Sequence, residues 1–253
     1  ERESLYIVSE YAQQYFQDTL FNTEAGKAIG MTYFKERGFT EETIQKFRLG
    51  FSPDEWTAFT DNALAKGYQL EFLEKTGLTI VNGDRKFDRF KGRVMFPIHS
   101  MSGRVLGFGG RILTNDKKQA KYLNSPESEI YHKSKVLYGI FFAKQAIAKA
   151  DNCYLVEGYT DVIQMHQKGI ENVVASSGTA LTQDQIRLIH RLTPNITVLY
   201  DGDAAGIHAA LRGTDMLLME GMNLKVLLLP DNDDPDSFAR KHTAEAFKSY
   251  IEE

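Results

Sequence analysis

Three acidic clusters, each placed directly after a short apolar run, constrain the fold of this chain more than any other feature. The clusters are Glu157 after residues 153–156, Asp201 and Asp203 after 196–200, and Asp233, Asp234 and Asp236 after 226–230. Short apolar runs bounded by Gly, Pro and Asp are typical of buried strands. Because the carboxyl ends of parallel strands meet at one edge of a sheet, we expect these carboxylates to converge. Converging carboxylates repel one another unless a cation neutralises them, so the sequence predicts a divalent metal site.

The composition is that of a soluble globular protein, with 253 residues, 42% hydrophobic and 25% charged. No apolar run approaches the roughly 18–20 residues that cross a bilayer, so no membrane partner is expected. The first residues, 1–4, lack signal-peptide character, which favours a cytoplasmic location. The single Cys153 permits neither an internal disulfide nor a Cys-rich zinc site.

Charge is segregated along the chain, although the formal net charge is only −4. Residues 83–121 hold ten Lys and Arg against three acidic residues, whereas 151–236 hold thirteen acidic residues against five Lys and Arg. A basic surface together with an acidic metal pocket suits a polyanionic substrate whose phosphates react at a metal.

Two regions differ in their predicted secondary structure. Up to about residue 113, helical patterns at 4–20, 24–37 and 54–75 precede a β-hairpin within 87–113. From about 144, strands predicted at 153–157, 172–176, 196–200 and 224–229 alternate with helices, and a last helix is expected at 236–249. Such alternation predicts a mainly parallel sheet covered by helices. The chain is therefore expected to be α/β, with residues 1–140 forming a basic α+β subdomain packed on a metal-binding subdomain of residues 141–253.

Several of these motifs also have purely structural explanations. Asp203 is a plausible helix N-cap, and the segment 234–236 is a plausible turn and helix start. The glycines of 107–110 either let the backbone approach a phosphate or mark a bulge. Tyr122 and Tyr159 either stack on bases or pack in the interior. The three acidic clusters together are harder to explain without a metal.

Eight motifs in order along the chain carry a resemblance to a known family. They are RFKGRVMFPI (89–98), GRVLGFGGR (103–111), KYLNSPE (121–127), YHK (131–133), LYG (137–139), EGY (157–159), SGTA (177–180) and the Asp-x-Asp pair at 201 and 203. The acidic strand ends resemble those of TOPRIM domains, and the whole set resembles the RNA polymerase catalytic core of bacterial replicative DNA primases. The resemblance implies a Rossmann-like TOPRIM fold for residues 141–253.

The resemblance also implies a reaction, namely the synthesis of short RNA primers on single-stranded DNA from ribonucleoside triphosphates. Mg²⁺, or Mn²⁺ in its place, would be held by acidic residues, with Glu157 as a further ligand or a proton acceptor and Asp161 as a second-tier candidate. The expected metal ligands are Glu157, Asp201, Asp203, Asp234 and Asp236. The expected contacts to nucleotides and nucleic acid are Arg89, Lys91, Arg93, Arg111, Lys121, Asn124, Lys133, Gly178 and Thr179.

Two parts of such primases have no counterpart in this sequence. The zinc-binding module needs Cys and His ligands, so zinc is not expected here, and the replicative helicase would be bound through a C-terminal domain absent from this sequence. Two other functions share some of the same features: a TOPRIM topoisomerase or nuclease, which cuts DNA, and a non-catalytic nucleic-acid-binding module. A topoisomerase needs a further domain with a nucleophilic Tyr, and a binding module has no need of the acidic clusters.

Overall fold

The computed structural model describes residues 1–177, 180–201, 214–230 and 233–252. The chain divides into two compact units, Glu1–His132 and Lys133–Glu253. In the described part of the chain, no helix is both long enough and apolar enough to cross a membrane.

The first unit is a mixed α+β structure. Its helices are α1 (Arg2–Asn22), a π-helical turn (Gly26–Gly30), α2 (Met31–Glu36), α3 (Glu41–Lys46), α4 (Ala58–Ala65) and α5 (Leu70–Lys75). Its strands are β1 (Gly50–Phe51), β2 (Thr79–Asn82), β3 (Arg85–Asp88), β4 (Arg93–His99), β5 (Val105–Ile112) and β6 (Tyr122–Asn124). The strands form a four-stranded antiparallel sheet, β1-β4-β5-β6, and a separate β2-β3 hairpin.

The predicted hairpin around the turn at Gly103 is confirmed. Strands β4 and β5 pair from Arg93 opposite Ile112 to His99 opposite Val105. Gly103 adopts a φ of 96°, a left-handed conformation that suits glycine in a turn. Helix α1 packs against this sheet through Phe16, whose ring lies 5.5 Å from that of Phe108. An aromatic core therefore supports the strands that carry the basic motifs.

His99, on β4, makes the stability of this unit depend on pH. The residue is 4% exposed, and burial, together with the nearby Arg48, lowers the pKa of His99 from 6.5 to about 4. The folded protein keeps this ring neutral while the unfolded chain protonates it below pH 6.5, so stability present at neutral pH is lost as the pH falls toward 4. From this group we expect a loss of about 2 kcal/mol in the free energy of unfolding between pH 7.5 and pH 5. Urea denaturation of wild type and His99→Gln at both pH values checks this, and an equal pH response in the two proteins contradicts it.

The second unit is a parallel sheet with helices between its strands. Its helices are a 3₁₀ turn (Lys133–Lys135), α6 (Ile140–Ala150), α7 (Tyr159–Gln167), α8 (Gln183–His190), α9 (Pro235–Lys241) and α10 (Ala244–Glu252), and residues 214–219 are also helical. Its strands are β7 (Cys153–Val156), β8 (Val173–Ala175), β9 (Asn195–Tyr200) and β10 (Asn223–Leu228). They pair in the order β10-β9-β7-β8, and every pair is parallel. The predicted α/β class and mainly parallel sheet are confirmed.

The single helix predicted at 236–249 is wrong, because α9 and α10 are separate helices. His242 leaves the helical conformation with a φ of −124° and a ψ of 155°, and its ring stacks on Phe238 at 4.0 Å. Thr243 then starts α10 by accepting hydrogen bonds from Ala246 N through its hydroxyl and from Phe247 N through its carbonyl. The local Thr cap outweighs the continuous helical pattern of the sequence.

Candidate metal centre and nucleic-acid-binding residues

The parallel sheet brings acidic residues from all three clusters to the carboxyl ends of its strands, which we call the acidic edge. Glu157 follows β7, Asp201 follows β9, and the third cluster follows β10. These three strands are neighbours in the sheet and run in the same direction. Asp203 lies outside the described residues. The strand ends therefore place Glu157, Asp201 and the third cluster at the edge where open α/β sheets bind their ligands.

Asp161 reports the electrostatics of this edge. The residue lies in the first turn of α7, where its carboxylate accepts hydrogen bonds from Gly158 N at 3.2 Å and Asp236 N at 2.9 Å. Burial raises the pKa of Asp161 well above its usual range, and the nearby carboxylates of Asp234, Asp236 and Asp201 raise it further. Negative charge is therefore in excess here, and a bound cation would relieve it.

The helix start predicted at the third cluster is confirmed. Asp234 is the N-cap of α9 and accepts from Ser237 N at 2.7 Å, and Pro235 follows as the first helical residue. Asp233 accepts from Lys241 Nζ at 2.8 Å, and this hydrogen bond lowers the pKa of the Asp233 carboxyl. Capping uses one oxygen of Asp234, so this role is compatible with a metal contact through the other.

Asp236 is more deeply enclosed than Glu157, Asp201 and Asp234, the other predicted ligands that the structure describes. It is 2% exposed, and its Oδ1 accepts from Gln164 Nε2 at 3.2 Å. Arg240 Nε lies 3.6 Å from the same oxygen. Metal ligation by Asp236 stays a prediction, and this enclosure favours a supporting or water-mediated role.

The donor chemistry of the acidic edge fits a hard divalent cation. Carboxylate oxygens are the ligands that Mg²⁺ and Mn²⁺ prefer, whereas structural zinc sites are built from Cys and His. Among the described residues, no group of three or more His, Cys, Asp or Glu side chains already stands as a metal site. The acidic residues that the structure describes nevertheless match such a cation in donor type and in accumulated charge.

The loop after β8 is one of the segments predicted to contact nucleotides. Gly178 and Thr179, the two residues predicted to bind nucleotide there, lie outside the described residues. Before them, Ser177 has a φ of 60°, which is uncommon for a residue with a side chain. A left-handed residue is compatible with a binding loop, and nucleotide binding by Gly178 and Thr179 stays a prediction.

Two of the predicted phosphate-binding arginines hold the main chain in place. Arg89 donates to Asn124 O from Nε at 3.2 Å and from Nη2 at 2.7 Å. Arg93 is 5% exposed, and its Nη1 donates to the carbonyls of Gly110 and Ala120 at 3.1 and 3.0 Å. The Arg93 contacts join β4 and β5 to the segment before β6, whereas the Arg89 contacts join the loop before β4 to the end of β6. A structural role therefore has to be weighed against phosphate binding for both residues.

The other predicted contacts are placed differently. Lys121 is exposed and Asn124, at the end of β6, is half-buried. Arg111 donates to Ile112 O and lies over the Tyr33 ring, 5.2 Å from its centre. Lys133, at the start of the second unit, is half-buried, and its carbonyl accepts from Gln185 at 3.2 Å. The lysine side chains are thus better placed to meet phosphates than Arg93 is.

Structural roles explain two motifs whose function the sequence left open. Gly110 packs so closely against Phe90 that a Cβ there would lie 2.8 Å from the Phe90 ring. Gly107 similarly faces Ser125, whose hydroxyl accepts from Phe108 N at 2.8 Å. Tyr159 is buried, with its ring 4.7 Å from that of Tyr138. Close packing therefore accounts for these glycines and for Tyr159.

Sequence reasoning missed Trp56, the single tryptophan of the chain. It is 61% exposed, Lys91 Nζ lies 4.1 Å from its ring centre, and Phe87 packs edge-on at 6.0 Å. Lys91 also faces Asp54 at 3.6 Å. An exposed aromatic ring beside a cation suits stacking on a base. Its position among polar residues at 54–57 was the available signal.

Family models match both parts of the chain. Residues 15–144 match the family described as DNA primase catalytic core, N-terminal domain, and residues 154–239 match a Toprim-like family. The first match ends within α6, and the second begins within β7.

Individual proteins and solved structures agree with the family models. A DNA primase of Halalkalibacterium halodurans is 43% identical over 253 residues, which are 99% of this chain and 42% of that protein. The RNA polymerase domain of Mycobacterium tuberculosis primase DnaG superposes with a TM-score of 0.93 at 34% identity, covering 100% of this chain and 84% of that one. A DnaG primase catalytic domain solved with bound ssDNA has a TM-score of 0.91 at 39% identity, covering 99% and 78%. The chain thus spans about two fifths of the length of its curated relative.

Proposed function

Because the chain belongs to the DNA primase catalytic core family, we propose that it polymerises short RNA primers on single-stranded DNA from ribonucleoside triphosphates. The observation that carries this proposal is the meeting of three acidic strand ends at one edge of a Toprim-like unit. The DNA-bound catalytic domain and the RNA polymerase domain among the similar structures support the choice of template and product.

Toprim domains typically bind a divalent metal, and we assign that role here to Mg²⁺, with Mn²⁺ as a substitute. Glu157, Asp201, Asp203 and Asp234 would hold it, and Asp236 would support them from its buried position. A metal bound there would supply charge stabilisation for the attacking and leaving oxygens of an in-line displacement. Glu157 has two possible roles, as a further ligand or as the acceptor of the proton from the attacking hydroxyl.

In the proposed reaction, the 3′-hydroxyl of the growing RNA attacks the α-phosphate of the incoming nucleotide. A P–O bond forms there, the bond to the β-phosphate oxygen breaks, and pyrophosphate leaves. The chain's own contribution is to orient the triphosphate and to accept the hydroxyl proton. Lys121, Arg111, Asn124 and Lys133 are proposed to hold phosphates, together with the loop that contains Gly178 and Thr179.

The remaining basic residues have a mixed assignment. Lys91 is proposed to act with Trp56 on the single-stranded template, and Arg89 to shape the segment that carries Lys121. Base pairing with the template, rather than side-chain contacts, would select each nucleotide. A replicative helicase as partner, and the replication fork in the bacterial cytoplasm as the place of action, follow as proposals from the same family.

The decisive experiment supplies the chain with single-stranded DNA, Mg²⁺ and labelled ribonucleotides. We expect labelled RNA, and an annealed RNA primer should raise its yield, because one reactant is then already positioned. Cut DNA without RNA would identify a Toprim nuclease or topoisomerase instead. Binding without either product, in reactions with and without the annealed primer, would identify a non-catalytic module.

The affinity of the chain for single-stranded DNA is expected to fall steeply as salt is added if the basic residues bind phosphates. Each phosphate contact contributes a slope of about −0.7 to log K against log salt, since bound counterions are released. Lys121→Met should weaken binding and make the slope shallower by roughly one contact. Fluorescence anisotropy over a salt series measures both, and an affinity independent of salt would show that these charges only face solvent.

A further inference from the structure

We propose that Gln164 is a positioning residue for the metal centre, acting through Asp236 rather than on the metal itself. The inference rests on the metal site proposed above and adds to it a neutral side chain on α7. It arises from a buried chain of hydrogen bonds that joins two of the acidic loops.

The contact between Gln164 and Asp236 is fully enclosed. Gln164 is 1% exposed, and its Nε2 donates to Asp236 Oδ1 at 3.2 Å across 72 positions of sequence. A carboxylate taken out of water is costly unless donors replace its hydration. The amide of Gln164 supplies such a donor and so favours docking of α9 onto α7.

Asp161 lies one helical turn before Gln164 and binds the main chain of Asp236. Its carboxylate accepts from Asp236 N at 2.9 Å and from Gly158 N at 3.2 Å. Gly158 directly follows Glu157, and Asp236 lies two positions after the N-cap Asp234. Helix α7 therefore connects the loop that carries Glu157 to the loop that carries Asp234. Asp161 binds the main chain of these loops, and Gln164 binds the side chain of Asp236.

The neutrality of Gln164 matters as much as its hydrogen bond. A lysine at this position would add a second positive charge beside Asp236, which already faces Arg240, and would weaken the attraction of the acidic edge for a cation. A glutamate would add a further negative charge beside carboxylates that already repel one another. A glutamine amide fixes Asp236 and leaves the charge of the cluster unchanged.

The test is Mn²⁺ affinity, measured by electron paramagnetic resonance on the whole chain without nucleotide. Gln164→Met keeps the length of the side chain and removes the donor, and it should raise the Kd for Mn²⁺ about ten-fold. Gln185→Met is the matched control: Gln185 is also buried, but its amide donates to the main-chain carbonyls of Lys133 and Val136. The control should lose stability and keep its Kd within about two-fold of wild type.

An unchanged Kd in folded Gln164→Met overturns the proposal. If the metal site itself is absent, wild type binds no Mn²⁺, or Asp201→Asn binds Mn²⁺ with the same affinity as wild type. The positioning role would then fall with the site.

Should Gln164→Met fold poorly, the isosteric Gln164→Glu takes its place. In that variant, amide hydrogen exchange of residues 233–241 should accelerate while residues 183–190 keep their protection. Unchanged protection of 233–241 would equally overturn the role.

Discussion

Asp201→Asn and Asp203→Asn are each expected to reduce nucleotide addition by at least ~10² while leaving the protein folded. Asp201 directly follows β9, between the strand ends that carry Glu157 and the third acidic cluster. Asparagine keeps the size of the side chain but removes the charge that attracts a divalent cation. The loss should therefore appear mainly in the rate of primer extension at saturating nucleotide and Mg²⁺. Single-turnover extension of an annealed primer measures it.

Asp184→Asn is the matched control for these two variants. Asp184 is an exposed acid in the first turn of α8, in the same unit of the chain. Its substitution removes the same charge and should change extension by less than about two-fold, because it alters only a surface helix end. Near-normal extension by both Asp201→Asn and Asp203→Asn would remove these residues from the metal site.

The sheet of the second unit could be predicted from sequence because its strands are short and clearly bounded, and β7, β8 and β9 are buried as expected. The expectation of a buried strand was wrong for β10, whose side chains are largely exposed. The runs before Glu157 and Asp201 are apolar on both faces, as expected for strands covered by helices on both sides. The acids come directly after these runs, so the parallel order alone determines where they meet. Helix boundaries were harder, since the break between α9 and α10 depends on a single Thr cap and on the stacking of His242 against Phe238.

The parts of the site that sequence reasoning missed depend on tertiary contacts. Gln164 and Asp236 are 72 positions apart, and nothing in either local pattern indicates that they share a hydrogen bond. The exposure of Trp56 depends likewise on the surface that β3 and Lys91 build beside it. A count of charges also treats every arginine as exposed, although Arg93 is buried among main-chain carbonyls. Charge composition therefore predicts a basic surface without showing which residues form it.

Arg93→Met is expected to lower the free energy of unfolding by about 3 kcal/mol, because it leaves the buried carbonyl of Gly110 without this donor and removes two further hydrogen bonds. The Arg93 guanidinium donates hydrogen bonds to the carbonyl oxygens of Gly110 and Ala120, and to that of Lys121 at 3.4 Å. Lys121→Met removes an exposed charge next to the same segment and should change stability by less than about 0.5 kcal/mol. DNA affinity should respond in the opposite order, falling more for Lys121→Met than for Arg93→Met at temperatures where both are folded. Urea denaturation and anisotropy titrations separate the two effects. Full stability with a marked loss of affinity in Arg93→Met would show that Arg93 meets a phosphate after all.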